Sequence, residues 1–267
     1  MTAVALDRPT VGDLLRHWRT TRRRSQLDLS LSVGVSTRHL SCVETGKSRP
    51  SPELVDALAE DLEIPLRDRN GLLLAAGYAP RYGERSLDDP AMDAVRSAVA
   101  RLLDAHAPYP GLAVDLRWDV VLANDAALAL LTSLPDHVVG PTPNVFRLCL
   151  HPDGLARVTR NFAAWATYLV STLRRNLHTT GDDRLGALLA EVESYPNVAA
   201  LVAGGRPSAP EETAVLVPLV LDLDGTTCSF LLTLTAFGTP RDVTVDELSL
   251  ELFFPADEAT ERALDHR

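Results

Sequence analysis

Over residues 11–77 the apolar positions recur at helical spacing. Val11, Leu14, Leu15 and Trp18 share one helical face. Gln26 opens a second amphipathic stretch with Leu27, Leu29, Leu31 and Val33. It stops at Gly34, where freedom to adopt positive φ suits a tight interhelical turn. Ser36 is placed to cap a third helix, Thr37 to Thr45, with Leu40 and Val43 inward and Thr37, Arg38, Ser41 and Cys42 outward. Gly46 ends that helix, and a basic loop, Lys47 to Pro52, follows. Pro52 suits the first turn of a fourth helix with Leu54, Val55, Leu58, Ala59 and Leu62 on one face, and a fifth runs from about Leu66 to Ala76 before Gly77.

Beyond residue 77 the pattern changes. Residues 78–89 mix Pro, Gly and charge without periodicity and read as a linker. Pro90 to His106 forms a helix striped by Met92, Val95, Val99, Leu102 and Leu103. Two short apolar runs around Arg117-Trp118-Asp119 predict a hairpin, and Asn124-Asp125 leads into an alanine-rich helix. Residues 143–203 are mostly helical, with Val158, Phe162, Trp165, Leu169 and Leu173 along one stretch. Ala214 to Leu223 and Thr227 to Phe237 predict strands joined through Asp224-Gly225, and Leu248 to Phe254 supplies another. Asp222-x-Asp224-Gly225 lacks the downstream ligands of a calcium loop and reads as a turn. The expected fold is therefore two domains: an all-α helix-turn-helix domain, 8–77, then an α+β domain with an antiparallel sheet, 90–260.

With 267 residues, 46% of them hydrophobic and 23% charged, the chain is long enough to bury sizeable cores, and disordered or collagen-like classes are excluded. The net charge of −10 conceals a division. Residues 8–50 carry nine Arg or Lys against Asp13, Asp28 and Glu44, giving +6, while residues 51–267 carry −15. A basic module that suits a polyanion is thus joined to an acidic domain with another task. No apolar run reaches the roughly 18 residues that cross a bilayer, and no secretory pattern opens the chain, so a cytoplasmic protein without a membrane partner is expected. Cys42, Cys149 and Cys228 lie in no metal or disulfide spacing and read as reduced thiols; no metal site or cofactor is expected.

Ser25-Gln26, Gly34-Val35-Ser36, Leu40, Val43-Glu44, Gly46-Lys47, Pro50-Ser51 and Leu58-Ala59 resemble, in this order, the Cro/C1-type (XRE) DNA-binding domains. The resemblance implies that the helix opened by Ser36 enters the major groove. Thr37 and Arg38, with His39 and Cys42 beside them, fall where base edges are read. Arg38 suits guanine O6 and N7, and Thr37 a thymine methyl or a base acceptor. Gln26, Lys47 and Arg49, with one or more of Arg22 to Arg24, would hold phosphates. Arg19 and Glu44 match positions that form a structural ion pair. Cys42 also reads as a small packing residue, and His39 stands between a backbone contact and solvent.

Leu150-His151-Pro152-Asp153-Gly154, Asn161 to Trp165, Phe237-Gly238-Thr239 with Asp242-Val243-Thr244, and Phe253 to Asp257 resemble the MmyB-like transcription regulators. That resemblance implies a PAS-like ligand-binding domain and a regulator whose DNA affinity answers to a small hydrophobic molecule, with a fatty acyl compound as candidate. In PAS-like domains the ligand lies between sheet and helices, which nominates Phe230, Leu232 and Leu234, alternating on one strand face, opposed by Phe162, Trp165 and Leu169. Arg160, Asn161 or His151 would meet a carboxylate at the rim. Each also has a plainer reading, since an apolar stripe is usually core and His151 can cap a turn.

No nucleophile elbow, zincin motif, P-loop or dinucleotide fingerprint is present, so an enzyme is not expected. The leading expectation is a homodimeric repressor or autoregulator on double-stranded DNA with an inverted repeat. In the alternative, the acidic domain is a protein-interaction and dimerisation platform without a small ligand.

Overall fold

The computed structural model describes residues 9–203, 216–223 and 225–264, which fall into two compact units. The first runs through Ser86 and also takes in Thr239–Asp246; the second comprises Leu87–Gly238 and the chain from Glu247 onward. Residues 78–86, expected as linker, are therefore part of the first unit.

The first unit holds α1 (Val11–Thr21), α2 (Gln26–Ser32), α3 (Thr37–Glu44), α4 (Pro52–Asp61) and α5 (Leu66–Ala75). Local chemistry sets four of the starts. Thr10 with Asp13 and Ser25 with Asp28 close capping boxes on α1 and α2, Ser36 caps α3 through the His39 amide, and Ser51 caps α4 with Pro52 in its first turn. Gly34 and Gly46 both take φ +71°, as the two turns flanking α3 require. Leu15, Leu29, Leu40, Val43, Val55, Leu58 and Leu72 are fully buried in one core. At Gly12 a Cβ would lie 2.6 Å from the Glu44 carbonyl oxygen, so α1 and α3 meet backbone to backbone.

The second unit contains α6 (Asp93–Asp104), β1 (Gly111–Val114), β2 (Val120–Ala123), α7 (Asp125–Thr132), α8 (Asp136–Val139), α9 (Val145–Leu150), α10 (Phe162–Thr180), α11 (Asp183–Ser194) and α12 (Pro196–Ala203). Then come β3 (Leu219–Leu223), β4 (Thr226–Ala236), β5 (Ser249–Pro255) and α14 (Glu258–Leu264); the short α13 (Val243–Asp246) belongs to the first unit. The strands form one antiparallel sheet in the order β2-β1-β5-β4-β3. This is the expected fold class, helical first and PAS-like α+β second.

The strand expected over Ala214 to Leu223 begins at Leu219 as β3; Ala214 and Val215, like Asp224 of the β3–β4 turn, lie outside the described residues. Gly225 takes φ +80°, as a tight hairpin demands. Asn124 explains why hairpin, asparagine and helix follow one another. Buried at 4% exposure, its Oδ1 accepts from the Gly111 and Ala127 amides, and its Nδ2 donates to the Leu103 and Tyr109 carbonyls. One side chain thus ties α6, β1 and α7 together.

Candidate nucleic-acid interface and ligand cavity

The α2–turn–α3 pair is fixed from beneath by Glu44. Its side chain has no exposure, and its two oxygens accept from Arg19 Nε at 2.6 Å and Arg19 Nη2 at 2.9 Å. Gln26 Nε2 donates to Oε2 at 2.7 Å, and Arg16 Nη2 donates to the Glu44 carbonyl at 3.2 Å. Burial on its own would raise the Glu44 pKa, but the hydrogen bonds from Arg19 and Gln26 outweigh it and hold the carboxyl below its ordinary value. The expected Arg19–Glu44 pair is present, and it also engages Gln26, the residue nominated for a phosphate.

Around this anchor the nominated DNA-facing residues divide. Arg38 and Lys47 are exposed, and neither has an intramolecular ion pair among the described residues. Thr37 shares a hydrogen bond of 2.9 Å with Ser30, which joins α3 to α2, and the residue is half-buried. Ser36 is the cap of α3, and His39 and Cys42 are half-buried beside it. The Cys42 carbonyl accepts from the Lys47 and Ser48 amides and shapes the turn that presents Lys47.

Arg49 is committed within the fold. Its Nε donates to the Ala76 carbonyl at 2.6 Å, its Nη2 donates to the Gly77 carbonyl at 2.9 Å, and its guanidinium lies 4.2 Å from the Tyr78 ring centroid. Arg22 likewise donates to the Leu62 and Glu63 carbonyls, and Arg24 pairs with Asp61 at 3.2 Å. Of that triplet Arg23, exposed at the end of α1, is the one the described contacts leave open to a phosphate. The partners of Arg22, Arg24 and Arg49 are remote in sequence, so charge patterning could not separate these cations from Arg38 and Lys47.

The second unit contains a cavity of about 630 Å³, within the range of small-molecule sites. Its wall combines Ala126, Ala129 and Leu130 of α7, Leu155 and Val158, and Phe230 of β4, with Asp125, Arg157 and Asp222 as its charged residues. Of the nine residues nominated for a ligand, Phe230 alone lines it. Trp165 and Leu169 are buried in the core of the unit, against which Phe162 and Leu232 pack. Leu234 is 51% exposed near the end of β4.

The nominated polar groups are occupied. Arg160 Nε donates to both Asp222 oxygens at 2.7 Å, Asn161 bridges the Pro218 carbonyl and the Val220 amide, and His151 Nδ1 accepts from the Asp153 amide at 3.0 Å. The cation that sequence reasoning missed is Arg157, exposed at the cavity and without an ion-pair partner among the described residues. Its proximity to α7 is non-local and left no signal in the pattern. In the Leu150-His151-Pro152-Asp153-Gly154 motif, Gly154 has a packing role, since a Cβ there would lie 2.4 Å from the Leu148 carbonyl oxygen.

Two further polar groupings lie in this unit. His137, His151 and Asp153 bring potential metal-ligand atoms within 4.8 Å of one another, with His137 Nε2 3.1 Å from Asp153 Oδ2. Coordination through His151 Nε2 would put a proton on Nδ1, against the Asp153 amide N–H it now accepts from, so the turn competes with a metal ion. Glu251, on β5, is 1% exposed with both oxygens unpartnered. Burial pushes its carboxyl up to about 8. Burial, followed by the nearby Glu251, pushes the Cys149 thiol up to about 12.

Residues 95–266 match the family model described as the MmyB-like transcription regulator ligand binding domain, and residues 10–72 match that of a helix-turn-helix domain. Among curated relatives, the transcriptional regulator ClgR from two strains of Mycobacterium tuberculosis is 42% identical over 81 residues, covering 30% of this chain and 70% of the relative. No helix among the described residues is long and apolar enough to cross a membrane.

Proposed function

The chain belongs to the MmyB-like transcription regulators and is a DNA-binding regulator with a helix-turn-helix domain, and we propose that it works as a homodimer whose hold on an inverted repeat answers to a small hydrophobic molecule. The observation that carries the ligand reading is the cavity of about 630 Å³, walled by alanine, leucine, valine and phenylalanine and bordered by Arg157, which has no ion-pair partner among the described residues. An apolar chain fits such a wall, and a carboxylate at its end would meet the Arg157 guanidinium in a charge-assisted hydrogen bond. A fatty acyl compound has both parts.

On DNA, α3 enters the major groove. Arg38 reads guanine, Thr37 supplies a methyl or hydroxyl contact, and Lys47 and Arg23 hold phosphates that set register. One such helix spans too few base pairs to select a site in a genome, which is the reason for a two-fold dimer with half-sites about 34 Å apart or a multiple of it. Regulation requires the ligand to bind the DNA-competent and incompetent states unequally. A tenfold effect on DNA corresponds to about 1.4 kcal/mol of coupling, and DNA must then change ligand affinity by the same factor.

Thermal-shift titration with saturated fatty acids of graded chain length tests this. Stabilisation that peaks at one length and is lost in Arg157→Ala for the acid, but kept for the corresponding alcohol, is expected. No stabilisation by any member, with no lipid in a solvent extract of the purified protein, would instead favour the interaction-platform reading.

A further inference from the structure

The helix α5 starts without a side-chain cap of its own, because its N-cap residue is Pro65. The cap is supplied from the far end of the chain. Asp246 Oδ2, on α13 in the β4–β5 connection, accepts from the Leu66 amide at 2.8 Å. A carboxylate at this position satisfies an otherwise open donor and complements the positive end of the helix dipole.

The same connection holds the segment that follows α5. Asp242, 5% exposed, pairs with Arg85 Nη1 at 3.0 Å, and its other oxygen accepts from the Thr244 amide. The Val243 amide donates to the Gly83 carbonyl at 2.8 Å, and Thr244 Oγ1 donates to the Arg85 carbonyl at 2.7 Å. Asn70 of α5 grips this segment from within the helix, through the Tyr82 carbonyl and the Arg81 and Tyr82 amides. At its other end α5 is tied by Arg49 to the loop that begins immediately after α3 and presents Lys47. A contiguous set of hydrogen bonds thus runs from Asp246 through α5 to the turn that follows the recognition helix.

We propose that Asp246 and Asp242 are positioning residues for DNA binding: the β4–β5 connection completes the DNA-binding unit, and by capping α5 it fixes the loop that carries Lys47. The motif Asp242-Val243-Thr244, singled out in the sequence, then has a physical task outside the ligand cavity. Resting further on the ligand-responsive reading above, the connection is also the covalent route by which a change in β4 and β5 reaches the DNA-binding helices. The positioning role itself requires no ligand and is tested without one.

The experiment uses the full chain and DNA selected from a random pool, with amide hydrogen exchange followed by mass spectrometry. Asp246→Ala should accelerate exchange in the first turn of α5 by about threefold to thirtyfold, the loss of one N-cap. Exchange in residues 46–51 should rise with it, and DNA affinity should fall at least threefold. Asp246→Asn, which keeps an acceptor oxygen, should restore both. Val245→Ala, which trims a buried neighbour without touching the cap, serves as the control for general destabilisation and should leave DNA affinity near wild type. Unchanged exchange at α5 in Asp246→Ala would overturn the proposal, as would faster exchange there with unchanged DNA affinity, failure of Asn to rescue, or an equal loss of affinity in Val245→Ala.

Discussion

Glu251 offers a sharp test of the core of the second unit, because a buried carboxyl without a partner makes stability depend on pH in a predictable direction. Its ordinary value is 4.5, and burial moves it to about 8 in the folded chain. Because the folded value is the higher one, the associated stability is fully present below pH 4.5 and is lost as pH rises towards 8, above which no more is lost. Linkage across that interval gives a loss of about 3 kcal/mol at pH 7 relative to a non-titrating side chain, and about 0.8 kcal/mol at pH 5. Glu251→Gln, of the same shape and uncharged, should therefore match the wild type at pH 5 to within about 1 kcal/mol and exceed it at pH 7 by about 3 kcal/mol. At roughly 2–4 °C per kcal/mol, the midpoint gap should widen by several degrees across this range. Thermal melts of both proteins at half-unit pH steps measure it. Parallel curves from pH 5 to pH 8 would refute the inference that Glu251 is held protonated in a dry core.

Other consequences concern the DNA-binding unit. Gly12→Ala should cost about 1–3 kcal/mol despite the better helix propensity of alanine, because its Cβ would press on backbone oxygens of α3 that cannot swing aside, and chemical denaturation reads this directly. Glu44→Ala should cost about 3 kcal/mol by leaving Arg19 without its partner; as the Glu44 carboxyl is held below its ordinary value, wild-type stability from this pair should fade as pH drops through the acid range, and the variant should lack that fading. Arg38→Ala should weaken selected DNA by about 1–3 kcal/mol while sparing random DNA, whereas Lys47→Ala should weaken both alike and flatten the salt slope by about 0.9. Competition binding at several salt concentrations distinguishes the two.

The DNA-binding helices were legible because their signals are local. Ser36 three residues before His39, Gly34 and Gly46 at the turns, and Pro52 in a first turn each decide the backbone within a few residues. Arg19 and Glu44 were legible through the family pattern. Arg49 was not, because its carbonyl partners lie on Ala76 and Gly77, and the cap of α5 by Asp246 lies further still. In the second unit the strand patterns and the Asn124 junction were readable, yet the position of the cavity was not. Periodicity says that Trp165, Leu169 and Phe230 face inward; it does not say which inward face meets other side chains and which meets space. In the structure α10 and β4 close on each other as core, and the space opens beside α7, where alanines at 126 and 129 leave room.

The most direct measurement of regulation is the affinity of selected DNA with and without the fatty acid that best stabilises the protein, made on the wild type and on Ala129→Trp, whose indole would fill the cavity. The ligand-responsive reading predicts that the acid changes wild-type affinity at least threefold, that DNA changes acid affinity by the same factor, and that Ala129→Trp binds DNA normally but no longer responds. Equal DNA affinity with and without saturating acid in the wild type, or an undiminished response in Ala129→Trp, would contradict it.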